Sequence, residues 1–159
     1  MHSREEAKQT RVDFWTYFGQ YATKLRIQQQ RPRKWTLYKT GLKGVELKFD
    51  TTNNQMVVTI DIYHKDSVKR LEMYERFGQV KSLLNEAIAV PVTWTDNYTD
   101  AVGKTSCRIY ISQDGMDIYD RNTWPTAMQW FAKHMLLLED AFEEVKPFLK
   151  AHWSEIFEA

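Results

Sequence analysis

A chain of 159 residues with a formal net charge of +1 fits one domain, expected over residues 1–159, and its overall charge marks it as neither a strong polyanion binder nor an acidic solvating protein. Its single cysteine, Cys107, excludes an internal disulfide and a C-x-x-C zinc or redox motif, so a reducing compartment is expected. No apolar run approaches the ~20 residues of a membrane span, and the polar start MHSREEAKQTR has no signal-peptide apolar region, which reads as a cytoplasmic protein without a membrane partner.

Ser3 followed three residues later by Glu6 is a capping-box pattern, and Val12, Trp15, Phe18, Ala22 and Leu25 keep a helical period until Pro32. A first helix is therefore expected over about residues 4–29. Alternating apolar residues then predict strands over 35–38 and 45–49, joined by a turn at Gly41 and Gly44. The polar cluster 50–54 makes a second turn, and the β-branched run 56–63 a third strand.

Asp66 or Ser67 can cap a second helix whose inner residues are Val68, Leu71, Tyr74, Val80, Leu84 and Ile88, with Gly78 weakening it from within. Pro91 stops that helix, Val92 and Trp94 form a short strand, and a loop over 96–104 leads to a last strand at Cys107, Ile109 and Ile111. From Trp124, capped by Thr123, the ladder Met128, Phe131, Met135, Leu138, Phe142, Val145 and Leu149 keeps one face of a long helix. Trp130, Leu137 and Ala141 widen that face, which suits it to covering a sheet. Pro147 should kink this helix or start another carrying Trp153 and Ile156.

The expected fold is α+β in the order α-β-β-β-α-β-β-α: a five-stranded, mainly antiparallel sheet with the long helices packed on one face and the other face freer. Tyr38, Glu46, Lys48, Thr59, Asp61, Tyr63, Arg108 and Tyr110 share that freer face if the strand parities hold.

Between Asp13 and Glu46 there is no acidic residue, while Lys24, Arg26, Arg31, Arg33, Lys34, Lys39 and Lys43 supply seven positive charges around Trp35 and Tyr38. Such cations neutralise a nucleic-acid backbone, and aromatic rings stack on unpaired bases. The candidate binding residues are therefore Arg31, Arg33, Lys34, Tyr38, Lys39 and Lys43, with Tyr63, Arg108 and Tyr110 from the sheet face. The plainer account is a set of solvated helix and strand ends. Glu139, Asp140, Glu143, Glu144, Glu155 and Glu158 concentrate at the opposite end of the chain, so self-association explains the asymmetry equally cheaply.

The element order also invites comparison with restriction-type nucleases, whose acid and acid-x-lysine pair hold magnesium. Glu46-Leu47-Lys48 has that spelling one strand too early, and Asp61-Ile62-Tyr63 puts tyrosine where lysine is wanted. A degenerate nuclease using Glu46, Lys48 and Asp61 is thus the alternative to a non-catalytic module. The four histidines show no ligand spacing, Cys107 reads as a small core residue, and no glycine-rich phosphate loop occurs, so no metal or cofactor is expected. Tyr119, Trp124, Trp130 and Trp153 could make a sticky surface, but at helical spacing they read as core.

Asp13-Phe14-Trp15, the strand Val58-Thr59-Ile60-Asp61-Ile62, Leu71 and Tyr74, the following Trp94 and the pair Arg108-Ile109 together resemble an uncharacterised bacterial domain family. Its members carry an R-x-x-F-W-like start, a V-E-L-Y-I-like strand, an I-E pair, then W and R-I. This chain departs from that pattern at Thr59, Asp61 and Leu84-Asn85. Members of that family occur alone or behind nuclease-like domains, so the resemblance implies a binding accessory in DNA-related or defence systems. The reading as a whole is a non-catalytic module with nucleic acid or a partner protein as ligand, and a structural homodimer is a further alternative.

Overall fold

The computed structural model describes residues 3–31, 35, 39–52 and 54–158. The first helix, α1, spans Arg4–Gln28 and starts as its sequence dictates, with Ser3 Oγ accepting the Glu6 N–H at 3.1 Å. It stops before proline is reached. Gln30 takes the left-handed conformation at φ 57°, the Arg31 N–H reaches back to the Arg26 carbonyl and the Gln30 N–H to the Ile27 carbonyl, a Schellman closure made without glycine.

Strands β1 (Val45–Thr52) and β2 (Gln55–Ile62) form a hairpin, followed by α2 (Ser67–Gln79), α3 (Lys81–Ile88), β3 (Thr93–Thr99), β4 (Thr105–Asp114) and α4 (Trp124–Lys150). All pairings are antiparallel, in the order β1-β2-β4-β3. Gly44 leads into β1 at φ +83°, a conformation that favours glycine, and a Cβ there would press on the terminal methyl of Met73.

Several expectations are corrected. Among the described residues the sheet has four strands, not five: Trp35 lies in a 3-10 turn, and 36–38, the rest of the expected first strand, lie outside the described residues. The observed order is therefore α-β-β-α-α-β-β-α. The second helix is two helices, because the chain turns at Val80 just past Gly78, where Val80 closes α2 by donating to Gly78 and Phe77. Asp66 is the cap of α2, its carboxylate accepting from Val68 and Lys69. Thr123 does not cap α4: its hydroxyl donates backward to the Asp117 and Asp120 carbonyls, and Asp120 caps the preceding turn at Arg121–Thr123. Pro147 neither ends α4 nor restarts it. The helix runs three residues past it to Lys150, and Trp153 and Ile156 pack from a separate turn, Trp153–Phe157.

Helices and sheet bury one contiguous apolar cluster. Val58, Ile60 and Ile62 of β2 and Ile109 and Ile111 of β4 meet Phe131, Met135, Leu138 and Phe142 of α4 there. Phe49 of β1 lies beneath Trp15, Phe18, Trp35 and Phe131, at ring distances of 6.3, 4.8, 5.4 and 5.7 Å, so α1 and α4 cover the same face. Trp94 of β3 joins α3 on that face by donating to Asn85 Oδ1. Trp124 and Trp153 are core as expected, while Tyr119 and Trp130 are half-buried.

One charge interrupts the apolar face of α4. Glu139, only 3% exposed, receives both arms of the Arg26 guanidinium from α1, at 3.0 and 2.9 Å, and Arg31 adds a third bond before holding Asp140 with both arms. Arg26 also lies 4.7 Å over the Trp35 ring. A buried carboxylate is tolerated because a planar fork answers it. This clamp fixes how α1 sits on α4, and it spends within the chain part of the charge asymmetry that had suggested self-association. Glu139→Ala, which strands the Arg26 charge, should lower unfolding free energy by about 3–5 kcal/mol in urea titration, while Arg26→Met with Glu139→Leu should recover most of it. A loss below about 1 kcal/mol for Glu139→Ala would remove the clamp from the account of the fold.

Candidate binding face

The second face of the sheet carries polar side chains, because β-strand residues alternate and the apolar set is committed to the helices. The register builds it in rows. Glu46, Asp61, Arg108 and Thr95 lie side by side across the four strands, Lys48, Thr59, Tyr110 and Thr93 form the next row, and Asp50, Val57 and Ser112 the third.

The middle of this face is not open. Thr59, Asp61 and Arg108 are 0, 3 and 4% exposed. Arg108 donates from Nε and Nη2 to the two oxygens of Asp61, at 2.9 and 3.0 Å, and from Nη1 to Asp50 Oδ2 at 3.0 Å. Thr59 Oγ1 donates to Asp61 Oδ1 at 2.8 Å, and the Tyr98 ring lies 3.7 Å from the Arg108 guanidinium carbon. Burial alone would push the Arg108 proton off, but hydrogen bonding and attraction from Asp61, then Asp50, outweigh it, so the guanidinium sits above its ordinary range.

Around this anchor the surface is accessible. A cleft of about 510 Å³ is lined by Lys48, Asp50, Thr51 and Arg108 and by 98–102 of the β3–β4 hairpin. Asp100 shapes the hairpin by accepting the Val102 and Lys104 N–H groups, at 3.0 and 2.9 Å, which sends Lys104 back over the Tyr63 ring at 5.2 Å.

The anticipated residues fall into separate groups. Tyr63, Arg108 and Tyr110 belong to this face, but Arg108 is its buried anchor, Tyr110 is half-buried, and Tyr63 stands at the rim, 37% exposed. Arg31 is in the α1–α4 clamp. Lys39 and Lys43 are exposed, with Lys43 over the Phe157 ring at 4.7 Å. Arg33, Lys34 and Tyr38 lie outside the described residues. The three residues weighed for a nuclease are adjacent, with Glu46 opposite Asp61 and Lys48 opposite Thr59, yet both Asp61 oxygens are already engaged. Among the described residues no group of three or more His, Cys, Asp or Glu is placed to hold a metal ion.

Sequence reasoning missed Asp50, taken for a turn residue, and Tyr98 and Asp100, taken for loop. Tyr98 does follow Trp94 at even spacing, but the register shift between Thr95 and Tyr98 breaks the alternation that would have shown its face.

Asp61→Asn, which cannot answer both arms of the fork, should cost about 3–5 kcal/mol of stability in urea titration, while Glu46→Gln at the rim should cost less than about 0.5. Equal, small losses would show that Asp61 is not the anchor. The neighbouring Cys107 thiol faces the core, and burial, partly offset by Arg70, pushes it from 9.0 up to about 11. The folded state thus favours the neutral thiol. That contribution is complete below pH 9 and fades as pH rises toward 11. At pH 8 the native protein should resist a thiol reagent that labels it stoichiometrically in urea, and rapid native labelling would contradict this.

Comparison with known proteins supplies a family and no activity. No curated protein and no solved structure matches the chain. No helix among the described residues is long and apolar enough to cross a membrane. The family described as "Domain of unknown function (DUF4268)" matches residues 10–146, from the first third of α1 to near the end of α4, so the chain belongs to that family.

Proposed function

We propose that this protein is a non-catalytic binding module that engages a partner protein through the polar face of its sheet. The observation that carries the reading is the engagement of Asp61: the acid a magnesium nuclease would need accepts three hydrogen bonds and serves as the anchor of the face. Three of the roughly four lone-pair sites of Asp61 are taken, and turning the carboxylate onto a metal would pull it from the buried Arg108.

Charge favours a protein over a polyanion. The cations Lys48, Lys104 and Arg108 stand among the carboxylates Glu46, Asp50, Asp61 and Asp100, a mixed pattern that repels a phosphate backbone as much as it attracts one. The rim offers Tyr63, Tyr98 and Tyr110, amphipathic rings suited to contact with a protein surface. Nucleic acid remains the second reading, favoured by the exposed Lys39 and Lys43. On this proposal residues 1–159 act as one unit.

A photo-crosslinking side chain at Tyr63, with Val68 on the exposed side of α2 as control, separates the readings in cells of the source organism. A discrete adduct at Tyr63 that protease removes and nuclease leaves intact is expected. An adduct removed by nuclease, or one equally abundant at Val68, would defeat the proposal, as would magnesium-dependent DNA cleavage by the purified chain.

A further inference from the structure

The main chain of β1 is satisfied on one side only. β1 is an edge strand, and the Gly44 carbonyl just before it accepts the Tyr63 N–H at 3.0 Å, so the even-numbered residues that follow turn N–H and C=O toward β2. Leu47, Phe49 and Thr51 turn theirs away. Val45 is closed on that outer side, its N–H donating to the Leu42 carbonyl and its carbonyl accepting the Thr40 hydroxyl. Among the described residues nothing hydrogen-bonds the outward groups of Leu47, Phe49 and Thr51. The opposite edge, β3, is blunted by its register shift, whereas β1 keeps regular register over its whole length with neither bulge nor proline.

A second copy of the chain fits this edge in one register. Outward groups must meet outward groups, so odd residues pair with odd. With Phe49 on a twofold axis, Leu47 faces the partner's Thr51, Phe49 faces the partner's Phe49, and all the open groups are used. On the polar face the same register sets Lys48 against the partner's Asp50, and Asp50 against the partner's Lys48. Asp50 gives Oδ2 to Arg108, which leaves Oδ1 for the lysine. Placing Lys48 on the axis instead opposes lysine to lysine and Glu46 to Asp50, and placing Asp50 there opposes aspartate to aspartate. Placing Leu47 there brings Phe49 against the already closed Val45.

We propose that β1 is a self-association edge, and that two copies of this chain join β1 to β1, antiparallel about Phe49, into one continuous eight-stranded sheet. The contact is short, so it forms a reversible dimer with a dissociation constant on the order of micromolar.

Sedimentation across the micromolar range should show monomer passing to dimer. Lys48→Glu, which sets like charges opposite each other twice, should weaken the dimer about tenfold or more, and Lys48→Arg should preserve it. Thr51→Pro removes an outward N–H without touching the β1–β2 ladder and should give a monomer with an unchanged far-ultraviolet spectrum. Independently of any variant, amide exchange at Leu47, Phe49 and Thr51 should slow as concentration rises, with Lys48 and Asp50 unaffected. A wild-type monomer at every concentration, or a dimer indifferent to Lys48→Glu, would overturn the proposal. So would protection of those amides at every concentration, which would mean that another segment of the same chain closes the edge.

Discussion

Strand β2 is buried along nearly its whole length, and that burial sets the terms for the rest of the molecule. It lies between β1 and β4, so its apolar residues can be covered by helices on one face while Thr59 and Asp61 on the other must be satisfied by neighbouring strands. An isolated buried carboxylate is prohibitive. Arg108 on the adjoining strand answers it with a fork whose geometry matches a carboxylate, and Asp50 and Tyr98 occupy the remaining arm and the flat surface of the guanidinium. The network draws in β1, β2, β4 and the β3 hairpin at once.

The same device appears a second time, between helices. Arg26 and Glu139 stand where the apolar faces of α1 and α4 would otherwise meet without preference for rotation or sliding. An apolar contact tolerates small shifts, whereas a two-armed ion pair has one good geometry. Both networks fix a single geometry at a cost in desolvation.

On the proposed reading, binding falls to the periphery of the face, because its centre is closed. Lys48, Tyr63, Asp100 and Lys104 surround the buried anchor and remain within reach of a partner. Of these rim groups Lys48 lies on β1, Tyr63 follows the end of β2, and Asp100 and Lys104 belong to the β3–β4 turn, all set around strands that the anchor ties together. The edge of β1 borders this surface, shares Lys48 and Asp50 with it, and is defined by main-chain polarity.

The sequence by itself determined the class and most of the elements: Ser3 as the first cap, Asp66 or Ser67 as the second, the ladder of α4, the alternation of β1, β2 and β4, and the resemblance to one family. These are local or periodic features, legible because a residue three or two positions away carries the information. Tertiary structure alone decided the rest. The sequence placed Asp61 and Arg108 on a shared face but did not show that Asp50 and Tyr98 would close over them, because Asp50 reads as a turn residue and the register shift before Tyr98 hides its face. It counted Arg31 as a free cation, and only the crossing of α1 and α4 brought Glu139 and Asp140 within reach of it. Charge and spacing are properties of the chain, but whether a charge meets a ligand or its own counter-ion depends on which elements the core packs together.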